Sequence, residues 1–162
     1  MRAKPFHEKE VVCRITTQLK LKRAQDEVMR REKFYRVIVE SVPDLIFQLD
    51  TDRKIEFANP AFRLLGYDPD QLIGQPIGDL IVSEDKETLL EALATRYVGP
   101  LAITDLAVTI KVSDDVSLVE EMATQNILVD SVGLWNVSDE DVFRENVDKK
   151  FLGTLCVGKR AP

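Results

Sequence analysis

Apolar and polar positions alternate with a period of two in five segments after residue 42, and this pattern predicts β-strands. Leu45, Phe47 and Leu49 form the first series, a polar connection of four residues follows, and 55–58 alternates again, which together predict a β-hairpin. The same alternation returns at 106–112, at 123–137 with a bulge expected near Gly133, and at 151–157, where Gly153, Leu155 and Val157 share one parity. We therefore expect a five-stranded antiparallel sheet.

Between the hairpin and the third strand the spacing changes to that of helices. Asn59 and Asp68 each precede a proline, which is the arrangement of a helix cap followed by a first helical residue. Glycines at 66 and 74 can end these short helices, and 76–81 suggests a third helical turn. A longer helix is predicted to begin at a capping Ser83, with one apolar face made of Leu89, Leu90, Leu93 and Tyr97.

Residues 7–40 contain neither glycine nor proline and are rich in helix-forming residues, so they predict a long N-terminal helix. Its apolar spacing changes phase between Leu19 and Leu21, from which we expect two helical stretches with different partners. The second stretch has the spacing of a parallel two-helix coiled coil, and its predicted dimer seam is Ala24, Val28, Tyr35, Ile38 and Val42. The alternative is a helix that packs on its own domain.

Charge is distributed unevenly along the 162 residues, of which 44% are hydrophobic and 31% charged. Residues 1–40 hold 11 Lys or Arg and 6 Asp or Glu, whereas 41–162 hold 11 and 22, which gives +5 and −11. An acidic domain argues against nucleic acid as its partner. We expect no membrane span, because no apolar run is long enough, and no secretory signal. The distant Cys13 and Cys156 favour free thiols over a disulfide, so a cytoplasmic chain is expected.

The stretch 42–81 resembles the first half of a PAS domain. The resemblance rests on Pro43-Asp44, Asp50, residues 55–59, Pro60-Ala61-Phe62, Leu65-Gly66-Tyr67 and Leu72-Ile73-Gly74. It implies an α+β fold over 42–162, in which the five-stranded sheet carries short helices on one face and follows the long helix. PAS domains sense ligands, bind cofactors, dimerise or relay signals, so the resemblance implies a regulatory function without fixing the ligand.

Residues 1–22 resemble the end of a response-regulator receiver domain, with residues 23–41 as a helical linker. The resemblance rests on Lys4-Pro5-Phe6 and on the helix-forming residues from Glu10 to Arg23. It implies that Lys4 corresponds to the lysine that pairs with the receiver's phosphoaspartate, although the metal pocket and phosphoacceptor are not in this sequence. A two-component protein of the response-regulator type is therefore expected.

The residues offer little for catalysis, and we expect no enzymatic activity. His7 is the only histidine and lies in the tail, so no nucleophile–histidine pair exists in the domain. No glycine-rich phosphate loop occurs. The PAS resemblance also makes haem unexpected, since residues 83–98 contain no histidine, and covalent flavin unexpected, since 76–81 contain no cysteine.

In PAS domains a ligand lies between the sheet and the longer helix. The resemblance places the candidate pocket at Phe47 or Ile46 together with Phe57, Leu93, Tyr97, Ile110 and Trp135. Few polar groups converge there, which favours either a small apolar ligand or a sealed core. The acidic segment 138–150 is an insertion relative to the family, interpreted as a solvated loop or else as a partner-binding or metal-binding loop. Asp139, Asp141 and Glu145 lack calcium-loop spacing, so no metal is expected.

Two functions remain at this point. One is a sensory or regulatory PAS domain that dimerises through the N-terminal helix and relays a ligand or partner signal. The other is a ligand-free PAS scaffold for protein–protein interaction.

Overall fold

The computed structural model describes residues 7–99, 102–114 and 123–162, and its contacts divide the chain into two units between Ser41 and Val42. The first unit contains one continuous helix, α1 (Glu8–Ser41), none of whose residues is buried. The phase change between Leu19 and Leu21 alters the exposed face of α1 without interrupting its backbone hydrogen bonding, and the different partners of its two stretches stay a prediction. In the described part of the chain, no helix combines the length and apolarity that crossing a bilayer requires.

The second unit contains the predicted five-stranded antiparallel sheet. Its strand order is β2-β1-β5-β4-β3, and every neighbouring pair is antiparallel. The strands are β1 (Leu45–Leu49), β2 (Ile55–Ala58), β3 (Ile103–Lys111), β4 (Thr124–Trp135) and β5 (Phe151–Arg160). The prediction of an α+β fold with a long preceding helix is confirmed.

Short helices connect β2 to β3 as predicted. They are the 3₁₀ helix η1 (Pro60–Leu65), α2 (Pro69–Leu72), the 3₁₀ helix η2 (Ile77–Asp79) and the longer α3 (Ser83–Ala94), and a further 3₁₀ turn, η3 (Asp141–Phe143), precedes β5. Gly66 ends η1 with φ 81°, and the Asp68 carboxylate accepts a hydrogen bond from the Asp70 amide at 3.1 Å. Ser83 does not cap α3, because Val82 occupies the capping position and offers no side-chain acceptor.

The core lies between the inner face of the sheet and these helices. Phe47, Ile110 and Val129 from the strands pack in one buried cluster with Phe62 from η1 and Leu89 from α3. The cluster stabilises the fold by removing large apolar side chains from water.

The alternation in β5 does not by itself say which parity faces the core, and the structure resolves this. Cys156 is fully buried in the core, whereas Leu155 and Val157 are half-buried on the opposite, outer face. The ladder between β4 and β5 is regular from Arg160 to Gly153 and shifts register between Leu134 and Trp135, so the alternation does not extend unchanged to Phe151. Gly153 lies beside this shift with φ 152°, and a Cβ there would come within 2.1 Å of the Leu49 carbonyl oxygen, so the position requires glycine.

The edge strand β3 is covered over its second half by the segment that leads into α3. The amide of Val82 donates to the Thr109 carbonyl at 3.0 Å, and the Thr109 amide donates to an Asp85 carboxylate oxygen at 2.7 Å. Lys111 likewise donates its amide to the Leu80 carbonyl at 2.8 Å. These bonds satisfy edge groups that would otherwise pair with another strand.

Candidate functional site

Three of the predicted pocket residues lie together in the core. Phe47, Leu93 and Ile110 are 2%, 4% and 1% exposed and belong to the same buried cluster. The Phe47 ring meets Phe62 edge-on, with 5.8 Å between ring centroids. The inner face at this place is thus packed by the chain's own side chains at the distance typical of favourable aromatic pairs.

Phe57 does not face the interior, and that part of the prediction is wrong. Its side chain is 41% exposed, whereas Ile55 and Ala58 on the same strand are buried. The ladder pairs Leu49 with Ile55 and Gln48 with Phe57, so the strand carries one extra residue between the two inward positions. Such a bulge moves the aromatic ring to the outer face beside Gln48.

Tyr97 does not face the interior either, and its predicted place on the helix is wrong. The side chain is 47% exposed, and α3 has already ended at Ala94. Arg96 adopts a left-handed conformation with φ 54°, which turns the chain away from the helical path. The Tyr97 backbone instead contacts the sheet, because its carbonyl accepts a hydrogen bond from the Gly133 amide at 2.9 Å.

Trp135 is half-buried at the end of β4, in an aromatic cluster away from Phe47 and Ile110. Its ring lies 5.2 Å from the Phe151 ring, centroid to centroid, and the Arg96 guanidinium carbon lies 4.2 Å from the Phe151 centroid. The cation over the ring anchors the connection after α3 to the sheet. Among the described residues, no acceptor reaches the buried Trp135 Nε1. No sequence pattern indicated this aromatic cluster.

Asn59 is a buried polar residue whose role the sequence analysis missed. Its side chain makes no cap bond to η1, contrary to expectation. Instead Oδ1 accepts from the Ile46 amide and Nδ2 donates to the Asp44 carbonyl, both at 3.0 Å, while the Asn59 amide donates to the Ile46 carbonyl at 2.9 Å. Asn59 therefore fastens the start of η1 to the beginning of β1.

The thiols differ in their surroundings. Cys156 is fully buried, and burial raises its pKa from 9.0 to about 12. A thiol with so high a pKa remains protonated at neutral pH and is a poor nucleophile. Cys13 is exposed on α1, and neither cysteine forms a disulfide.

Described residues form several grooves on the surface, and two of them are considered as candidate sites. One of 450 Å³ lies along α3 and is lined by Arg53, Lys86, Glu87, Leu90 and Glu91, among others. The other, of 180 Å³, lies on the outer face of the sheet and is lined mainly by Ile103, Val132, Leu155 and Val157, with Asp130 at its border. None of the six predicted pocket residues lines either groove.

An ion pair borders the outer groove. The Lys159 ammonium donates to the Asp130 carboxylate, and the Asp105 amide donates to the same carboxylate at 2.8 Å. The hydrogen bond from Lys159, followed by that from Asp105, lowers the pKa of Asp130, and the carboxylate in turn raises the pKa of Lys159. Both groups are therefore charged at neutral pH.

Comparison with models of protein families identifies the family of this chain. A model of the PAS fold matches residues 33–125, which is more than half of the chain. This chain belongs to the PAS family. No curated protein matches it.

Solved PAS structures share the fold at low identity. A PAS domain of an HTR-like protein from Haloarcula marismortui aligns with a TM-score of 0.60 and 18% identity, covering 86% of this chain and 98% of that one. A PAS domain from Colwellia psychrerythraea gives 0.58 and 20%, covering 83% and 96%. A domain of a sensory box sensor histidine kinase/response regulator from Geobacter sulfurreducens gives 0.52 and 17%, covering 82% and 96%. At these identities the likeness establishes the fold alone.

The acidic segment 138–150 is folded in this PAS domain. Val142 is 8% exposed, and the Lys149 ammonium donates to its carbonyl at 2.6 Å. The Asp141 carboxylate, one of the groups weighed as a metal ligand, accepts from the Ser138 hydroxyl and pairs with Arg144 at 2.9 Å. Within the described ranges, no three His, Cys, Asp or Glu side chains are grouped so as to hold a metal ion.

The resemblance of residues 1–22 to the end of a receiver domain stays a prediction. Lys4 and Pro5, which carry part of it, lie outside the described residues. The seam residues Ala24, Val28, Tyr35 and Ile38 all lie on α1, and Val42 follows its last residue.

Proposed function

We propose that this chain is a regulatory PAS module of a two-component protein of the response-regulator type, located in the cytoplasm and without catalytic activity of its own. Membership of the PAS family supports a regulatory role. The resemblance of residues 1–22 to the end of a receiver domain supports the response-regulator type. The absence of histidine beyond His7 supports a role in relay rather than catalysis.

The module dimerises through the second half of α1, and one observation carries this proposal. Val28, Tyr35 and Ile38 are 55%, 64% and 41% exposed on a continuous helix. Together with Ala24 and Val42 they follow the alternating four–three spacing of a coiled-coil seam. At the polar seam position the Arg31 guanidinium pairs with Glu27 of the same helix at 2.6 Å, which holds the cation to one side.

Replacing Val28→Asp together with Ile38→Asp tests the seam. Charge at two core positions of a coiled coil opposes pairing, so we expect the dimer to become a monomer. Light scattering coupled to gel filtration at about 100 μM protein measures this, because association depends on concentration. The control is Met29→Asp with Val37→Asp, two exposed apolar residues off the seam, which should remain dimeric. A monomeric wild type would refute dimerisation.

A ligand-free scaffold is the second candidate, and the packing of the inner face favours it. Phe47, Leu93 and Ile110 fill the place where the family resemblance put a ligand. As a scaffold, the domain would act by binding protein partners, without a bound ligand. Native mass spectrometry with absorbance spectroscopy of the purified chain is the test, and we expect the mass of the polypeptide without haem or flavin absorption. A stoichiometric small apolar molecule in the spectrum would favour the sensing form instead.

A further inference from the structure

Within the described residues, three other than glycine have a left-handed backbone, namely Arg53, Arg96 and Asp105, with φ 63°, 54° and 52°. This conformation is strained for most residues with a Cβ and persists where the surroundings require it. The Arg96 guanidinium lies over the Phe151 ring, and aspartate adopts the conformation more readily than most residues do. For Arg53, no hydrogen bond or ion pair of the side chain within the described residues accounts for the strain.

Arg53 lies in the turn between β1 and β2, which is held without its side chain. The Asp50 carboxylate accepts hydrogen bonds from the amides of Asp52 and Lys54 at 2.8 and 2.9 Å. The Arg53 amide donates to the Asp50 carbonyl at 3.1 Å. These bonds use the backbone of residues 52–54 and not the guanidinium. Glycine would form the same turn with less strain, so the turn itself does not explain an arginine.

The half-buried Arg53 side chain lines the groove of 450 Å³ along α3, and Lys86 is a second cation there. The Arg53 carbonyl accepts a hydrogen bond from the Ile77 amide at 3.1 Å, which holds the turn against η2. Lys86 crosses η2 as well, because its Cε lies 2.7 Å from where a Cβ on Gly78 would be. Its ammonium lies 3.8 Å from an Asp79 carboxylate oxygen, which makes a weak ion pair. The groove therefore has a cationic side next to η2.

Two carboxylates line the same groove without a cationic partner. Glu87 and Glu91 are exposed four residues apart on α3, so their like charges repel each other. No lysine or arginine stands three or four residues from either along the helix. Within the described residues neither carboxylate forms an ion pair, with Arg53 or with any other cation. Leu90 and Ala94 add apolar surface to the groove.

We propose that the groove along α3 binds a small zwitterion of the amino-acid or dipeptide class. The Arg53 guanidinium presents parallel N–H donors and holds the carboxylate of the ligand. Glu87 and Glu91 hold its ammonium group, and Leu90 contacts an apolar side chain. A simple anion fits less well because two carboxylates face it, and a simple cation fits less well because Arg53 and Lys86 repel it.

The strain at Arg53 has a physical reason in this proposal, because it places the guanidinium in the groove. Strained backbone of this kind is concentrated at functional sites. The volume of 450 Å³ lies in the range of small-molecule sites. The site lies wholly within the second unit, so the proposal goes beyond the regulatory role stated above and does not depend on dimerisation through α1.

Glycyl-leucine is the probe, because it has a carboxylate, an ammonium group and one apolar side chain. Its C-terminal amide lacks the carboxylate charge, and its N-acetyl derivative lacks the ammonium charge. Each is titrated into the full-length chain at about pH 7, where the free amine is protonated, and followed by the backbone amide signals in NMR spectra. We expect glycyl-leucine to shift the signals of Arg53 and of residues 86–94, and each derivative to bind at least about fivefold more weakly.

Substitutions test each charge of the groove separately. Arg53→Gly should raise the melting temperature, because the strain is released, and should bind glycyl-leucine and its amide within about twofold of each other. Glu87→Gln with Glu91→Gln should likewise bind glycyl-leucine and the N-acetyl derivative within about twofold. The control is Lys54→Gln, which removes a charge from the same turn but not from the groove, and its affinity should change by less than about twofold.

Three outcomes would overturn the proposal. They are the absence of selective shifts at about 10 mM glycyl-leucine, binding of either derivative as tightly as the dipeptide, and a lower melting temperature of Arg53→Gly with unchanged discrimination. The last would show that the guanidinium stabilises the fold instead. The seam variant Val28→Asp with Ile38→Asp should bind glycyl-leucine as the wild type does. Failure of the dimer and failure of this site therefore give different results.

Discussion

At the scale of single residues, Gly133 and Gly78 differ in what an added Cβ would contact. A Cβ at Gly133 would lie 2.8 Å from the Arg96 carbonyl oxygen, and at Gly78 it would lie 2.7 Å from the Lys86 Cε. The first neighbour is backbone, held by the bond between the Gly133 amide and the Tyr97 carbonyl. The second belongs to a flexible side chain with access to solvent. An added Cβ would therefore be more costly at Gly133 than at Gly78, although the two distances are almost equal.

We expect Gly133→Ala to lower the free energy of unfolding by about 1–3 kcal/mol, because the connection after α3 must move. Gly78→Ala should cost less than about 1 kcal/mol, since Lys86 can adopt another rotamer. Urea denaturation followed by circular dichroism compares the two variants. Similar losses would show that the Arg96 backbone is as free to move as a lysine side chain.

The buried thiol predicts a pH dependence. Burial raises the pKa of Cys156 from 9.0 to about 12, so ionisation favours the unfolded chain. The contribution to stability is complete below pH 9 and is lost as the pH rises from 9 towards 12. At about pH 8 a thiol reagent should modify Cys13 alone in the native protein and both cysteines in denaturant. Native reaction of the Cys13→Ser variant would contradict the burial of Cys156.

At the scale of elements, α3 is anchored to the sheet by Leu89 and Leu93, which are 1% and 4% exposed. Leu93→Ala should lower the free energy of unfolding by about 2–5 kcal/mol if the chain's own side chains fill the space around it. Leu90→Ala, on the same helix but partly buried, should cost less. A loss below about 1 kcal/mol for Leu93→Ala, with a small molecule in the native mass spectrum, would mean that Leu93 lines an occupied pocket.

The elements themselves could be predicted from the sequence, because each is specified locally. The alternation in β1, the glycine at 66 and the cap at Asp68 depend on neighbours within a few residues. The longer-range features could not be predicted. The bulge that turns Phe57 outward depends on pairing with β1, and the left-handed Arg96 that removes Tyr97 from the helical face depends on contact with β4.

The candidate site was predicted in part for the same reason. Phe47, Leu93 and Ile110 lie on regular segments whose periodicity gives the buried face. Asn59 was assigned to a local cap, because a sequence cannot show that two groups at the start of β1 need its amide. The parity of β5 that faces the core could not be predicted, because both of its parities contain apolar residues.

At the scale of the whole molecule, the two units differ in what stabilises them. The unit from Val42 to Pro162 holds the buried cluster, whereas no residue of α1 is buried. We therefore expect the second unit to fold by itself, and we expect the first unit to mediate the proposed dimerisation. That division has a direct consequence for a truncated chain.

A chain that begins at Val42 should fold, and its free energy of unfolding should lie within about 1 kcal/mol of that of a monomeric full-length variant. Val28→Asp with Ile38→Asp supplies that monomeric reference, so the comparison excludes the effect of dimerisation itself. Gel filtration with light scattering should show a monomer, and urea denaturation should show one cooperative transition. A loss above about 2 kcal/mol, or aggregation of the truncated chain, would contradict the expectation that the second unit folds without α1.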